Sequence, residues 1–149
     1  MSNFEKCLQF VLKEEGGFTD NPHDPGKSTN YGITQVTYDA WLRKQGLLSK
    51  PVLHITSGEV TTIYKQEYWD AHNLEPMPEV WQLFLFDSYV QHRPDAVRSF
   101  VAGNNSVADA LWARIAYYTD LNNFLYFGRN WMRRMCHLRI ALRAINGQV

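Results

Sequence analysis

Apolar and polar positions repeat with a helical period along most of the chain. Phe4, Cys7, Leu8, Val11 and Leu12 fall at i, i+3, i+4, i+7 and i+8, which is one face of a helix. Ser2, with Glu5 three residues on, has the spacing of a capping box and opens that helix, while Gly16 or Gly17 ends it. The period then stops. Residues 18–35 are rich in Asp, Asn, Pro, Gly, Ser and Thr, and Asn21-Pro22 and Asp24-Pro25-Gly26 are turn signals, so this stretch reads as loop or short β-ribbon.

Helical spacing resumes over 37–45, closed by Gly46. Thr56-Ser57-Gly58-Glu59 is a second capping box, opening a helix with Val60, Ile63, Tyr64 and Tyr68 on one side. Glu75-Pro76-Met77-Pro78 breaks it. A strongly apolar helix is predicted over 79–92 and another from Pro94 to Gly103. Ser106 caps a long helix reaching Tyr118 or beyond, and Trp131, Met135, Leu138, Leu142 and Ile145 trace a stripe on a final one. The pattern predicts one mainly α domain over residues 1–149, with about six or seven helices and a small β excursion near 18–35.

Composition narrows the class. With 149 residues, 45% of them hydrophobic, the chain can bury a real core. No apolar run approaches the roughly 20 residues of a membrane span. The start, MSNFEKCLQFVLKEEGG, lacks the basic flank and unbroken apolar stretch of a secretory signal. Cys7 and Cys136 lie far apart, each within an amphipathic pattern, and are expected to be buried thiols rather than a disulfide. Net charge is zero but uneven: residues 96–149 carry 2 acidic and 7 basic side chains, all seven Arg. Such a segment suits an anionic polymer or lipid head groups, or is a solvated helix face. No nucleic-acid-reading motif is present.

One carboxylate is oddly placed. Glu15 lies four residues after Val11 and eight after Cys7, so it continues the buried stripe, while Glu14 points away. Burial and the negative end of the helix both favour the protonated carboxyl, which suits a general acid. A Glu that bends out to solvent, or pairs with an Arg, is the plain alternative. The following loop offers Asp20 and Asp24 as a second carboxylate, with Thr29 and Thr34 to hold a water. Aspartates in turns are also ordinary turn formers. Other chemistries lack their residues. The Asp20–Gly26 stretch breaks the calcium-loop pattern at Pro22, the five histidines have no zinc-site spacing, and GxSxG is absent.

The stretch Glu15-Gly16-Gly17-Phe18, then Asn21-Pro22, Asp24-Pro25-Gly26 and Thr29-Asn30-Tyr31-Gly32-Ile33-Thr34, resembles the signature of glycoside hydrolase family 108, the lysozyme-like N-acetylmuramidases of bacteriophage endolysins. A looser likeness runs through Tyr68-Trp69, Phe86-Asp87 and Arg114, Tyr118, Phe127, Trp131 and Arg134. The resemblance implies a lysozyme-like fold, with residues 1–87 carrying the catalytic motif and 88–149 similar to the family's peptidoglycan-binding region. It implies Glu15 as the catalytic acid, with Asp24, by its spacing, or Asp20 as the second group and Thr29 nearby. Tyr31-Gly32-Ile33-Thr34-Gln35 is similar to a strip that lines a sugar subsite in lytic transglycosylases and goose-type lysozymes, making Tyr31, Thr34 and Gln35 substrate-binding candidates. Gln35 is equally a polar residue at a helix start. Lys27 replaces a family glycine, and Gln91 and Arg93 depart from the family's Asn and Gly.

The expected activity is hydrolysis of the β-1,4 bond between N-acetylmuramic acid and N-acetylglucosamine, without a cofactor or metal. A lytic transglycosylase and a non-catalytic wall-binding or secretion-assisting protein are the alternatives. The expected partner is bacterial peptidoglycan, met by a monomer that accumulates in the host cytoplasm without stable membrane insertion and needs a holin or other export route.

Overall fold

Ser2 opens the first helix as its N-cap. Its hydroxyl accepts the Glu5 N–H, and the Glu5 carboxylate accepts the Ser2 N–H at 2.6 Å, completing the capping box. The structure, a computed structural model, describes residues 1–19 and 28–147. Asp20, Asp24 and both turn signals, Asn21-Pro22 and Asp24-Pro25-Gly26, therefore lie outside the described residues. Among the described residues the chain is mainly α-helical, with seven α-helices and one two-stranded antiparallel ribbon. It divides into two compact units, Met1–His72 and Asn73–Val149.

In the first unit α1 (Asn3–Glu15) buries Phe4, Cys7, Leu8 and Val11, the stripe its sequence predicts. The ribbon pairs β1 (Thr29–Asn30) with β2 (Ile33–Thr34) through a two-residue turn, Tyr31-Gly32. Both turn residues have positive φ, 52° and 76°, the pattern that matches the twist of a tight hairpin. Thr34 then caps α2 (Gln35–Lys44), accepting the Thr37 N–H at 3.2 Å, so this helix starts two residues earlier than its periodicity indicates.

The second predicted capping box is also complete, Thr56 with Glu59, at the start of α3 (Ser57–Tyr64). Past Tyr64 the helix widens into a π-helical turn, Lys65–Asp70, which the α-period does not anticipate. Trp69 lies fully buried in that turn, its ring edge-on to Phe4 at 5.4 Å. Asn30, itself buried, ties the hairpin to the short 3₁₀ turn Val52–His54 by donating to the carbonyls of Val52 and Leu53. Burying a side chain such as Val11 or Ile33 contributes about 1.5–3 kcal/mol.

The second unit is built around α4 (Glu79–Gln91), where Gln82 through Ser88 are buried in unbroken succession. A helix buried all round must be enclosed by others. Here α5 (Pro94–Val101), α6 (Val107–Thr119) and α7 (Phe124–Asn146) pack against it. Asp87 is fully buried on α4, and both its carboxylate oxygens are claimed. One accepts from Arg114 at 2.6 Å and the other from the Nε and a terminal nitrogen of Arg134 at 3.0 and 2.6 Å. Burial pushes the Asp87 carboxyl up, but the two guanidiniums outweigh it and hold it below the ordinary value. The Asp87, Arg114, Tyr118 and Arg134 positions of the family likeness thus meet as one polar core. Trp131 joins its edge, stacked on Tyr118 with ring centroids 4.9 Å apart.

Both cysteines are thiols, but only Cys7 is buried. Cys136 is exposed, against expectation, because it follows Met135 of the buried α7 stripe and so projects about 100° further round the helix. The same stripe buries Met135, Leu138 and Leu142 and frays at Ile145, which is 38% exposed.

Candidate active site

Glu15 is the last residue of α1 and is half-buried. Gly16 caps the helix with φ 76°, its N–H reaching the Leu12 carbonyl at 3.3 Å. Only glycine takes this backbone without cost, so the chain turns directly beside the carboxylate. Four residues later Thr19 forms a two-way backbone bridge with Thr29, at 2.8 and 2.9 Å. This bridge joins the end of the α1 turn to the first strand of the hairpin.

The hairpin turn lies against Glu15. A Cβ at Gly32 would stand 2.8 Å from Glu15 Cγ, 2.8 Å from Tyr64 Oη and 3.0 Å from Glu15 Oε2. These separations are below real contact, so the acid's side chain, the turn and the tyrosine hydroxyl meet in space that only a glycine leaves open. Tyr64, at the end of α3, donates its hydroxyl to the Tyr31 carbonyl at 2.8 Å. That bond holds Tyr31 in its left-handed conformation, which costs a non-glycine residue about 1–2 kcal/mol. Tyr68 follows in the π turn, its ring centroid 5.4 Å from that of Tyr64. Burial pushes the Tyr68 phenol up, and the Glu15 and Glu67 carboxylates push it further. A phenol opposed by a neighbouring negative charge keeps its proton.

The sequence candidates separate by role. Glu15, Thr29, Tyr31, Thr34 and Gln35 all belong to α1, the hairpin or the α2 start, whereas Asp20 and Asp24 lie outside the described residues. Tyr31 is 40% exposed, so its ring is available to lie on a sugar face. Thr29 sits in β1, opposite Thr34. Thr34 uses its hydroxyl on Thr37 as a helix cap. Gln35 commits its side-chain amide to the scaffold: the nitrogen donates to Asp39 and to the Lys50 carbonyl, both at 3.0 Å, and the oxygen accepts the Val52 N–H at 2.6 Å. Trp41 and Trp69, aromatic enough for sugar stacking, are core residues at 7% and 0% exposure.

With this geometry in place, comparison with known proteins identifies its lineage. The model of the glycosyl hydrolase 108 family matches residues 8–92, which include Glu15, the hairpin, Tyr64 and Tyr68. The chain belongs to the glycosyl hydrolase 108 family. Among solved structures it is similar to SagA of Brucella abortus, with 25% identity over 95% of this chain and 94% of that one and a TM-score of 0.77. No curated protein matches it. As a glycosyl hydrolase 108 protein with a lysozyme-like fold, the chain is a glycosidase acting on peptidoglycan.

Sequence reasoning missed Gly32, Tyr64 and Tyr68 as parts of this site. Gly32 had a signal: a glycine between short alternating segments marks a turn where the backbone approaches something closely. Tyr68 carried only the loose family likeness at Tyr68-Trp69 and Tyr64 carried none, because their helical spacing reads as ordinary core.

Proposed function

We propose that this protein is an N-acetylmuramidase that hydrolyses the β-1,4 bond between N-acetylmuramic acid and N-acetylglucosamine, with Glu15 as the general acid. The observation that carries this reading is the placement of the Glu15 carboxyl at a glycine-terminated helix end, confined by the Tyr31-Gly32 turn. Glu15 donates its proton to the glycosidic oxygen as the C1–O bond breaks. The second carboxylate, Asp24 or Asp20, takes the proton of the water that adds to C1, or stabilises the oxocarbenium-like transition state. Thr29, in β1, orients the water, and Tyr31 supports a sugar ring.

Glu15→Gln keeps the shape of the side chain and removes its acid. It is expected to fold with an unchanged melting temperature and to lose lytic activity by at least about a thousandfold. Retained lysis would exclude Glu15 as the acid. Mass spectrometry of digested peptidoglycan separates the reaction classes. Reducing muramic-acid ends support hydrolysis, anhydro-muramic ends indicate a transglycosylase, and binding without soluble fragments indicates a non-catalytic wall binder.

The reading extends to host-cell lysis by a bacteriophage enzyme that acts as a monomer and meets the wall after release from the host cytoplasm through a holin or an equivalent route. Among the described residues no helix is long and apolar enough to cross a membrane. Expression inside cells with and without a co-expressed holin tests the route, and lysis without one would overturn it.

A further inference from the structure

The α7 helix, 23 residues long, carries five arginines, one histidine and no carboxylate. Arg134 faces inward and is bound to Asp87. Arg129, Arg133, Arg139 and Arg143 are exposed. Among the described residues no carboxylate pairs with any of these four. Steps of three, four and seven residues put Tyr126, Arg129, Arg133, Ile140 and Arg143 on one side of the helix. Tyr126 is 82% exposed and Ile140 66%. On neighbouring α6, Trp112 is 67% exposed and helps line a cavity of about 350 Å³ with Ile115, Met132, Cys136 and Arg139.

Single exposed apolar residues are ordinary on any protein surface. Interleaved with unneutralised arginines on one helix side, beside an exposed tryptophan, they form a surface of another kind. Cations alone suit any polyanion. Large apolar side chains among the cations suit a lipid interface, where the apolar parts enter between head groups while the guanidiniums stay on the phosphates. A charged polysaccharide gives an exposed isoleucine nothing to displace water into. We propose that the exposed side of α7, with Trp112 of α6, docks the protein on an anionic lipid surface.

The test is co-sedimentation of the full chain with vesicles of phosphatidylcholine alone, and of phosphatidylcholine and phosphatidylglycerol in equal parts. Binding is expected only to the vesicles containing phosphatidylglycerol, weakening as salt is raised. Substituting Arg129, Arg133, Arg139 and Arg143 together by Gln is expected to weaken it by about fivefold per arginine. The matching Lys variant is expected to keep most of the binding, which separates lost charge from lost structure. Trp112→Ser is expected to weaken binding with all the charges in place. Three results would overturn the proposal: no binding to anionic vesicles at low salt, equal binding to phosphatidylcholine alone, or undiminished binding by the Gln variant when it melts like the native protein. Arginine-dependent binding to isolated peptidoglycan, with none to vesicles, would also overturn it and reassign the surface to an anionic polymer.

Discussion

The backbone of Gly32 lies so close to the side chain of Glu15 that a methyl group there would stand 2.8 Å from Glu15 Cγ and 3.0 Å from its Oε2. The two residues are 17 positions apart in sequence, and the tight hairpin turn brings one onto the other. The proposed acid is held on one side by an absence of side chain.

Gly32→Ala adds that methyl and strains a backbone at φ 76°. Strain alone is expected to cost about 1–2 kcal/mol of stability. If Glu15 is the acid, kcat falls by about a hundredfold or more, because a displacement near 1 Å at a catalytic group has that effect. Melting curves and turnover of soluble murein fragments read the two effects separately. Unchanged kcat would show that Glu15 tolerates displacement and would count against its role.

Tyr64→Phe removes the hydroxyl that holds the Tyr31 carbonyl. A loss of about 1–2 kcal/mol is expected from the bond and the carbonyl it leaves without this donor. The turn carries Tyr31 and borders Glu15, so kcat is expected to fall more than KM rises. A change in KM alone would mean that the bond serves only substrate contact through Tyr31.

Gln35→Ala distinguishes scaffold from sugar contact. Three internal hydrogen bonds run from this amide to Asp39, Lys50 and Val52. Their loss is expected to lower stability by about 2–3 kcal/mol, with KM near the native value once the protein is kept folded. A large rise in KM at native stability would instead make Gln35 a subsite residue.

His92 supplies a pH signature in the second unit. Burial first, then the Arg114 guanidinium, pushes its pKa down to about 3, and its Nε2 lies 2.9 Å from the Tyr118 hydroxyl. Between about pH 6.5 and pH 3 the unfolded chain binds a proton there that the folded chain does not. Stability contributed by neutral His92 is therefore full above pH 6.5 and falls as pH drops, with a slope of at most about 1.4 kcal/mol per pH unit. His92→Gln is expected to flatten the pH dependence of the melting temperature between pH 6.5 and pH 4. Parallel curves for the two proteins would refute this account.

The helix starts were legible because capping is local. Ser2 with Glu5, Thr56 with Glu59 and Ser106 with Asp109 each close bonds across three residues, so sequence spacing is nearly the whole geometry. Glu15 was legible for the same reason: a 3.6-residue period carried the stripe to it, and two glycines marked the end. The α2 start was misplaced because Thr34 reads as part of the ribbon while its hydroxyl already caps the helix.

By itself, then, the sequence determined the helical class, the carboxylate at the end of α1, a short ribbon within residues 18–35 and the excess of arginine near the C-terminus. Periodicity assigns a face to each element but not the partner that face meets. Only the tertiary structure decided that Gly32 abuts Glu15, that Tyr64 reaches Tyr31 across 33 residues, and that Asp87 gathers Arg114 and Arg134 from 27 and 47 residues away. It also decided which arginines faced outward, since on α7 one is drawn inside by a buried carboxylate and four have no such partner among the described residues. Such contacts join residues distant in sequence, and they follow from which elements pack together, a choice made by the burial of the whole core rather than by any one segment.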